Sequence, residues 1–227
     1  NQDGVYHMVE QRRHAQLAAL TPVTDQMLRQ PAPGDWLMWR GTYASLDYTP
    51  LRQINRSTVH ELGVAWARSL PVSANEITPL VHDGVLFIES ANTIDALDGT
   101  DGDMLWQYVR ALPEGLQNGQ AARMKNMAIY QNMLYAPTPD GHIVALDVKS
   151  GKLIWEYQHQ PINGGAQRGT GIYGGKVFVT TADSHLVALD ARTGAVLWDT
   201  KTEWQLAGQA PLIARGKVIV SGNRPNG

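Results

Sequence analysis

The chain has 227 residues, 43% hydrophobic and 18% charged, with 19 Lys and Arg against 21 Asp and Glu for a formal net charge of −2. That length holds one large domain or two small ones, and the apolar fraction supports a packed core rather than disorder. Balanced charge leaves no global positive field for nucleic acid or an anionic membrane, no apolar run approaches the ~18–20 residues of a membrane span, and the absence of cysteine excludes disulfides, zinc-thiolate sites, iron–sulfur clusters, covalent c-type haem and cysteine nucleophiles.

In chain order, Asn1-Gln2-Asp3 reads as a processed or trimmed start with no signal-peptide pattern. The stretch from Val9 to Leu20 has helical character, and Thr24 is placed to cap a second helix through Asp25-Gln26-Met27-Leu28. Pro31-Ala32-Pro33-Gly34 breaks that segment. A short helix is expected over 57–62 with Ser57 as its cap. Leu62-Gly63-Val64-Ala65-Trp66 then reads as the last strand of an incomplete unit. This divides the chain into an N-terminal helical and loop segment, 1–66, and a repeat region, 67–227.

The repeat is explicit. Ala96-Leu97-Asp98, Ala145-Leu146-Asp147 and Ala188-Leu189-Asp190 are each followed four residues after Asp by Gly (102, 151, 194) and four later by Trp (106, 155, 198). The Trp-to-Trp periods are 49 and 43, and Trp66 precedes Trp106 by 40. Ahead of each frame two apolar stretches flank a turn at Gly84, Asn132 or Gly175. A fourth copy begins at Ala210-Pro211-Leu212-Ile213 and turns at Gly216, but Gly227 comes before any further frame. Asp suits the turn because its carboxylate accepts from nearby N–H groups, and Gly supplies a positive φ. Four short strands per ~40–50 residues is the period of a β-propeller blade, so the fold class is all-β, a propeller of four-stranded antiparallel blades. A β-sandwich with coincidental Trp residues is the competing reading. A helical solenoid does not fit units rich in Val, Ile, Tyr and turn residues. Trp106, Trp155 and Trp198 are expected to be buried between blades. Because three and a half repeats cannot close a ring, the remaining blades or a second chain are expected to complete it, and the chain alone should aggregate. The seven histidines show no metal-ligand spacing; His142 and His185 occupy equivalent repeat positions and read as structural. Nucleophile-elbow, Walker and dinucleotide fingerprints are missing.

Several motifs together resemble the quinoprotein alcohol dehydrogenases, whose eight-bladed propeller binds pyrroloquinoline quinone. They are Asp35-Trp36-Leu37-Met38-Trp39, Pro50-Leu51-Arg52-Gln53-Ile54-Asn55, Glu76-Ile77-Thr78-Pro79-Leu80-Val81 and the three Trp frames, over about residues 24–227. The resemblance implies an N-terminal part of that propeller and hydride transfer from a small alcohol to the quinone. It also implies a calcium or lanthanide ion, a periplasmic location and a cytochrome c electron acceptor. It places Glu76 against the quinone. The family's arginine falls either at Lys125, which keeps the charge without the planar fork, or at Arg168, followed by Gly169. The catalytic base and most metal ligands belong to later blades, so no catalytic or metal residue is assigned here. If Ala210 opens the metal-contributing blade, its ligand position falls near Asn226, which is no carboxylate. The family's adjacent cysteines are absent. The alternative function is a non-catalytic propeller of the same repeat type that acts as a protein-binding scaffold.

Overall fold

The computed structural model describes residues 2–71, 76–114, 116, 126–159, 169–181, 183–206 and 210–223. Each Ala-Leu-Asp frame forms the third strand of a four-stranded antiparallel sheet whose strands follow chain order. The first sheet contains β1 (Leu80–His82), β2 (Val85–Ser90), β3 (Thr93–Asp98) and β4 (Met104–Val109). The second contains β5 (Ala128–Tyr130), β6 (Met133–Pro137), β7 (His142–Asp147) and β8 (Leu153–Gln158). The third contains β9 (Gly171–Tyr173), β10 (Lys176–Thr180), β11 (His185–Asp190) and β12 (Val196–Lys201). Two pairs complete the described strands, β13 (Gln205–Leu206) with β16 (Gly222–Asn223) and β14 (Leu212–Ala214) with β15 (Lys217–Ile219). These are the propeller blades read from the repeat.

The frame determines the same local geometry three times. Ala96, Ala145 and Ala188 pair with Trp106, Trp155 and Trp198, and the register slips by one residue between Ala and Leu each time. The carboxylates of Asp98, Asp147 and Asp190 accept from backbone N–H groups two residues on, at 2.8, 3.2 and 3.0 Å. The Gly N–H then donates to the Asp carbonyl at 2.8–2.9 Å, closing the turn.

Glycine is needed there for a second reason. A Cβ on Gly102, Gly151 or Gly194 would lie 2.6–2.7 Å from the ring of Trp66, Trp106 or Trp155, the Trp of the preceding unit. Those indoles donate to the carbonyls of Gly99, Val148 and Ala191 at 3.2, 2.9 and 3.0 Å. Each Trp therefore seals its own blade onto the turn of the next. Within its blade the ring also meets an aromatic from the second strand, Phe87 for Trp106 and Tyr135 for Trp155, at 5.9 and 5.7 Å. Trp106 and Trp155 are 8% and 9% exposed, as expected, whereas Trp198 is 37% exposed. Among the described residues no following turn lies over Trp198.

Two expectations for the N-terminal segment are corrected. Instead of a capped helix over 57–62 there is one 3-10 turn, Val59–Glu61, flanked by Thr58. Ser57 instead donates its hydroxyl to Asn55 Oδ1 at 2.6 Å, which satisfies it locally. Residues 62–70 pair with no strand, yet Trp66 still docks on Gly102. Helix α1 (Gln2–Ala19) begins earlier than expected, and α2 (Asp25–Arg29) is capped by the Thr24 hydroxyl as its sequence implies. Leu20, Val23, Leu28 and Leu37 are buried in the same apolar core as the blades. Backbone pairs Trp36–Val81 and Val23–Gln131 tie this segment to blades one and two. Among the described residues no helix is long and apolar enough to cross a membrane.

Candidate functional site

The first strands of the blades run side by side: β5 and β14 both lie against β9, and Thr78 pairs with Asn126 in parallel. Their entering ends thus converge. Backbone approaches so closely here that a Cβ on Gly169, at φ +139°, would lie 2.6 Å from Asn126 Cβ and 3.1 Å from Ala210 Cβ. Only glycine permits that approach.

A cavity of about 50 Å³ opens at this convergence, lined by Asn126, Thr170 and Ala210 and by Met38, Trp39 and Tyr43 of the N-terminal segment. Tyr43 donates to the Ile172 carbonyl at 2.7 Å. Its phenol is held above its ordinary range, chiefly by burial, so it stays a neutral donor. Asn126 and Thr170 are both buried, and Asn126 Oδ1 and Thr170 Oγ1 find no hydrogen-bond partner. Orphaned buried polar atoms are rare and costly, and two facing one cavity are the property of a site built for a polar ligand.

Of the residues singled out in the sequence, Glu76 is exposed two positions before Thr78, at the same entering end of β1, and does not line this cavity. Lys125, Arg168 and Asn226 lie outside the described residues. In sequence Lys125 immediately precedes Asn126, and Arg168 stands two before Thr170, so two cations flank the orphaned pair along the chain. Asn126, Thr170 and Tyr43 were not legible from the repeat, because their chemistry arises only where separate strands meet. The one signal was positional: Asn126 and Gly169 each sit two residues before a first strand.

The two unpartnered atoms of Asn126 and Thr170 offer hydrogen bonds to a polar ligand. They do not fit a calcium or lanthanide ion, because among the described residues no Asp or Glu lines the cavity and such hard cations need several oxygen ligands. Elsewhere, two groups of side chains converge that sequence spacing did not reveal: Asp35 with His82 and Asp83, and His159 with His185 and Asp199.

The PQQ_2 family, described as outer membrane protein assembly factor BamB, matches residues 63–164 and 158–224. The chain is 36% identical over 149 residues to quinohemoprotein alcohol dehydrogenase ADH IIB of Pseudomonas putida, covering 63% of this chain and 22% of the relative. It is 38% identical over 133 residues to the dehydrogenase subunit of alcohol dehydrogenase (quinone) from Gluconacetobacter polyoxogenes, covering 57% and 18%. The crystal structure of quinohemoprotein alcohol dehydrogenase from Comamonas testosteroni superposes with a TM-score of 0.68 at 23% identity, over 84% of this chain and 30% of that one, which shows the shared fold. The chain spans about a fifth of the length of the relatives it matches. With the family match running through all three complete blades and their Trp frames, the chain belongs to the PQQ_2 propeller family and resembles quinone-dependent alcohol dehydrogenases.

Proposed function

We propose that these blades form one wall of the quinone site of a pyrroloquinoline-quinone-dependent alcohol dehydrogenase. The observation that carries this is the pair of orphaned buried atoms, Asn126 Oδ1 and Thr170 Oγ1, at the convergence of the first strands. When bound, the quinone accepts a hydride from the alcohol.

In this reading the Asn126 amide and Thr170 hydroxyl orient the quinone's edge by hydrogen bonds that replace water. Lys125 and Arg168 would neutralise its carboxylates, a guanidinium carrying the planar fork that an ammonium lacks. Glu76 contributes from the entering end of β1. Met38 and Trp39 would exclude water from the cavity, and Tyr43, fixed on the Ile172 carbonyl, holds the N-terminal segment against β9. The proton acceptor and the metal cage belong to other blades of the complete enzyme. The same reading places it in the periplasm with a cytochrome c as electron acceptor.

Absorbance titration of the intact protein with pyrroloquinoline quinone tests this. Asn126→Ala and Thr170→Val should each weaken binding about tenfold, roughly the ~1.4 kcal/mol of one net hydrogen bond. Arg168→Gln and Glu76→Gln should weaken it as well, with dye-linked alcohol oxidation falling in step. Unchanged quinone affinity in the Asn126 and Thr170 variants would remove the cavity from the site, and no quinone binding by the parent would leave a scaffold propeller.

A further inference from the structure

The two seams between complete blades use the same repeat positions with different chemistry. At the first seam Arg110, four residues after Trp106, reaches from blade one into blade two. It holds Asp140 through Nε and Nη2 at 2.8–3.0 Å and Glu156 through Nη1 at 2.8 Å. Tyr108 lies at 3.5 Å behind it.

At the second seam the residue four after Trp155 is His159. Asp183 and Asp199 stand where Asp140 and Glu156 stand, Tyr157 replaces Tyr108, and His185 holds the place of His142. Both carboxylates are kept, but among the described residues no guanidinium lies between them. Instead the rings of His159 and His185 come within 4.8 Å of each other. One donor atom from each of His159, His185 and Asp199 lies within 4.8 Å of the others.

We propose that His159, His185 and Asp199 bind a divalent transition-metal ion of the zinc class, joining blade two to blade three where an arginine joins blade one to blade two. Two imidazoles and a carboxylate are the donor set of open zinc sites, with a fourth position for water. The supporting hydrogen bonds are oriented for it. His159 Nε2 lies 3.2 Å from Asp183 Oδ2, and Tyr157 Oη lies 3.1 Å from His159 Nδ1. With Asp183 accepting the Nε2–H, Nδ1 carries the lone pair, which a metal ion would take in place of the Tyr157 hydroxyl; a carboxylate behind the ring is the usual carboxylate–histidine–metal arrangement. His185 Nδ1 lies 2.6 Å and His159 Nδ1 3.8 Å from the Asp199 oxygens. Tetrahedral zinc ligands sit about 3.3–3.5 Å apart, so the three donor atoms, now within 4.8 Å of one another, draw together to close on the ion.

The experiment is calorimetric titration of the chelator-stripped intact protein with Zn²⁺, paralleled by the visible spectrum with Co²⁺. One saturable equivalent and a tetrahedral Co²⁺ band are expected, uncontested by excess Ca²⁺ or Mg²⁺. His185→Gln and Asp199→Asn should weaken Zn²⁺ at least tenfold, and Asp183→Asn, acting through His159, about 10–100-fold. His14→Gln, on exposed α1, should change nothing. His159→Arg recreates the first seam, so it should keep the circular dichroism spectrum while abolishing binding. Absence of saturable Zn²⁺ binding, or its survival at full strength in His159→Arg, would overturn the proposal.

Discussion

Among single residues, Glu89 is the most discordant with its surroundings. It sits in β2, buried, with Oε2 unpartnered, and burial holds its carboxyl well above the ordinary carboxylate range. The native state thus keeps a proton that the unfolded chain releases near pH ~4.3, so stability falls as pH rises above that value. Glu89→Met should remove this loss and raise stability at pH 7 by about 1–3 kcal/mol. Urea unfolding at pH 5 and pH 8 decides it: the parent should lose stability between the two more steeply than the variant, and parallel losses would refute the assignment. Nothing in the local pattern signals this, since a Glu late in an apolar run, Val85-Leu86-Phe87-Ile88-Glu89, looks like a solvent-side residue at a strand's end. Only the packing of neighbouring segments reveals the burial.

The element scale is where sequence and structure agree most closely, because each frame solves one local problem three times. Gly151 combines a φ of +68° with a Cβ position 2.6 Å from Trp106, whereas Gly141 has a φ of +80° with open space around it. Gly141→Ala should cost only the ~1–2 kcal/mol of a left-handed non-glycine residue. Gly151→Ala should cost about 1–3 kcal/mol more, because the indole must also move. Equal costs would mean that the docking contributes nothing. The hairpin between β1 and β2 carries a different device. His82 is buried and lies within hydrogen-bond distance of Asp35 Oδ2 at 3.2 Å and the Thr21 carbonyl at 2.8 Å, with Asp83 at 3.3 Å. Desolvation opposes its charge, but Asp35, the Thr21 carbonyl and Asp83 outweigh it and raise its pKa above the usual 6.5. Its contribution is full below that value and is lost as pH rises through the raised one. His82→Gln should flatten the stability profile above pH ~6.5 and lower stability at pH 6, which thermal melts across that range would show. The periodic frame was readable because it is local. The clamp was not, since Thr21, Asp35 and His82 meet only after the N-terminal segment has wrapped the first blade.

Over the whole molecule, the boundary read at residue 66 does not mark a break in the core. Leu20, Val23, Leu28 and Leu37 share one apolar cluster with all three blades. Leu28→Ala should therefore destabilise by about 2–5 kcal/mol, as a core truncation does, in a single transition that also exposes Trp106. A separate early transition, with Trp fluorescence unchanged, would make the N-terminal segment an independent unit. The repeat could not show this, because these three leucine positions and one valine position lack any repeat partner. It also missed the cavity at Asn126 and Thr170, which no single blade contains. What the repeat did convey was the blade count, the turn chemistry and the docking of Trp106 and Trp155.

The direction of that docking has a consequence for synthesis. The Trp66, Trp106 and Trp155 indoles close on carbonyls 33, 42 and 36 residues further along. At ~5–20 residues per second the ribosome supplies those acceptors about 2–8 s after each ring has emerged. Through that interval the newest blade presents an unsealed aromatic while the one before it has just closed. Vulnerability to proteases and to non-native pairing therefore travels along the nascent chain as a single moving front, one repeat behind the point of elongation.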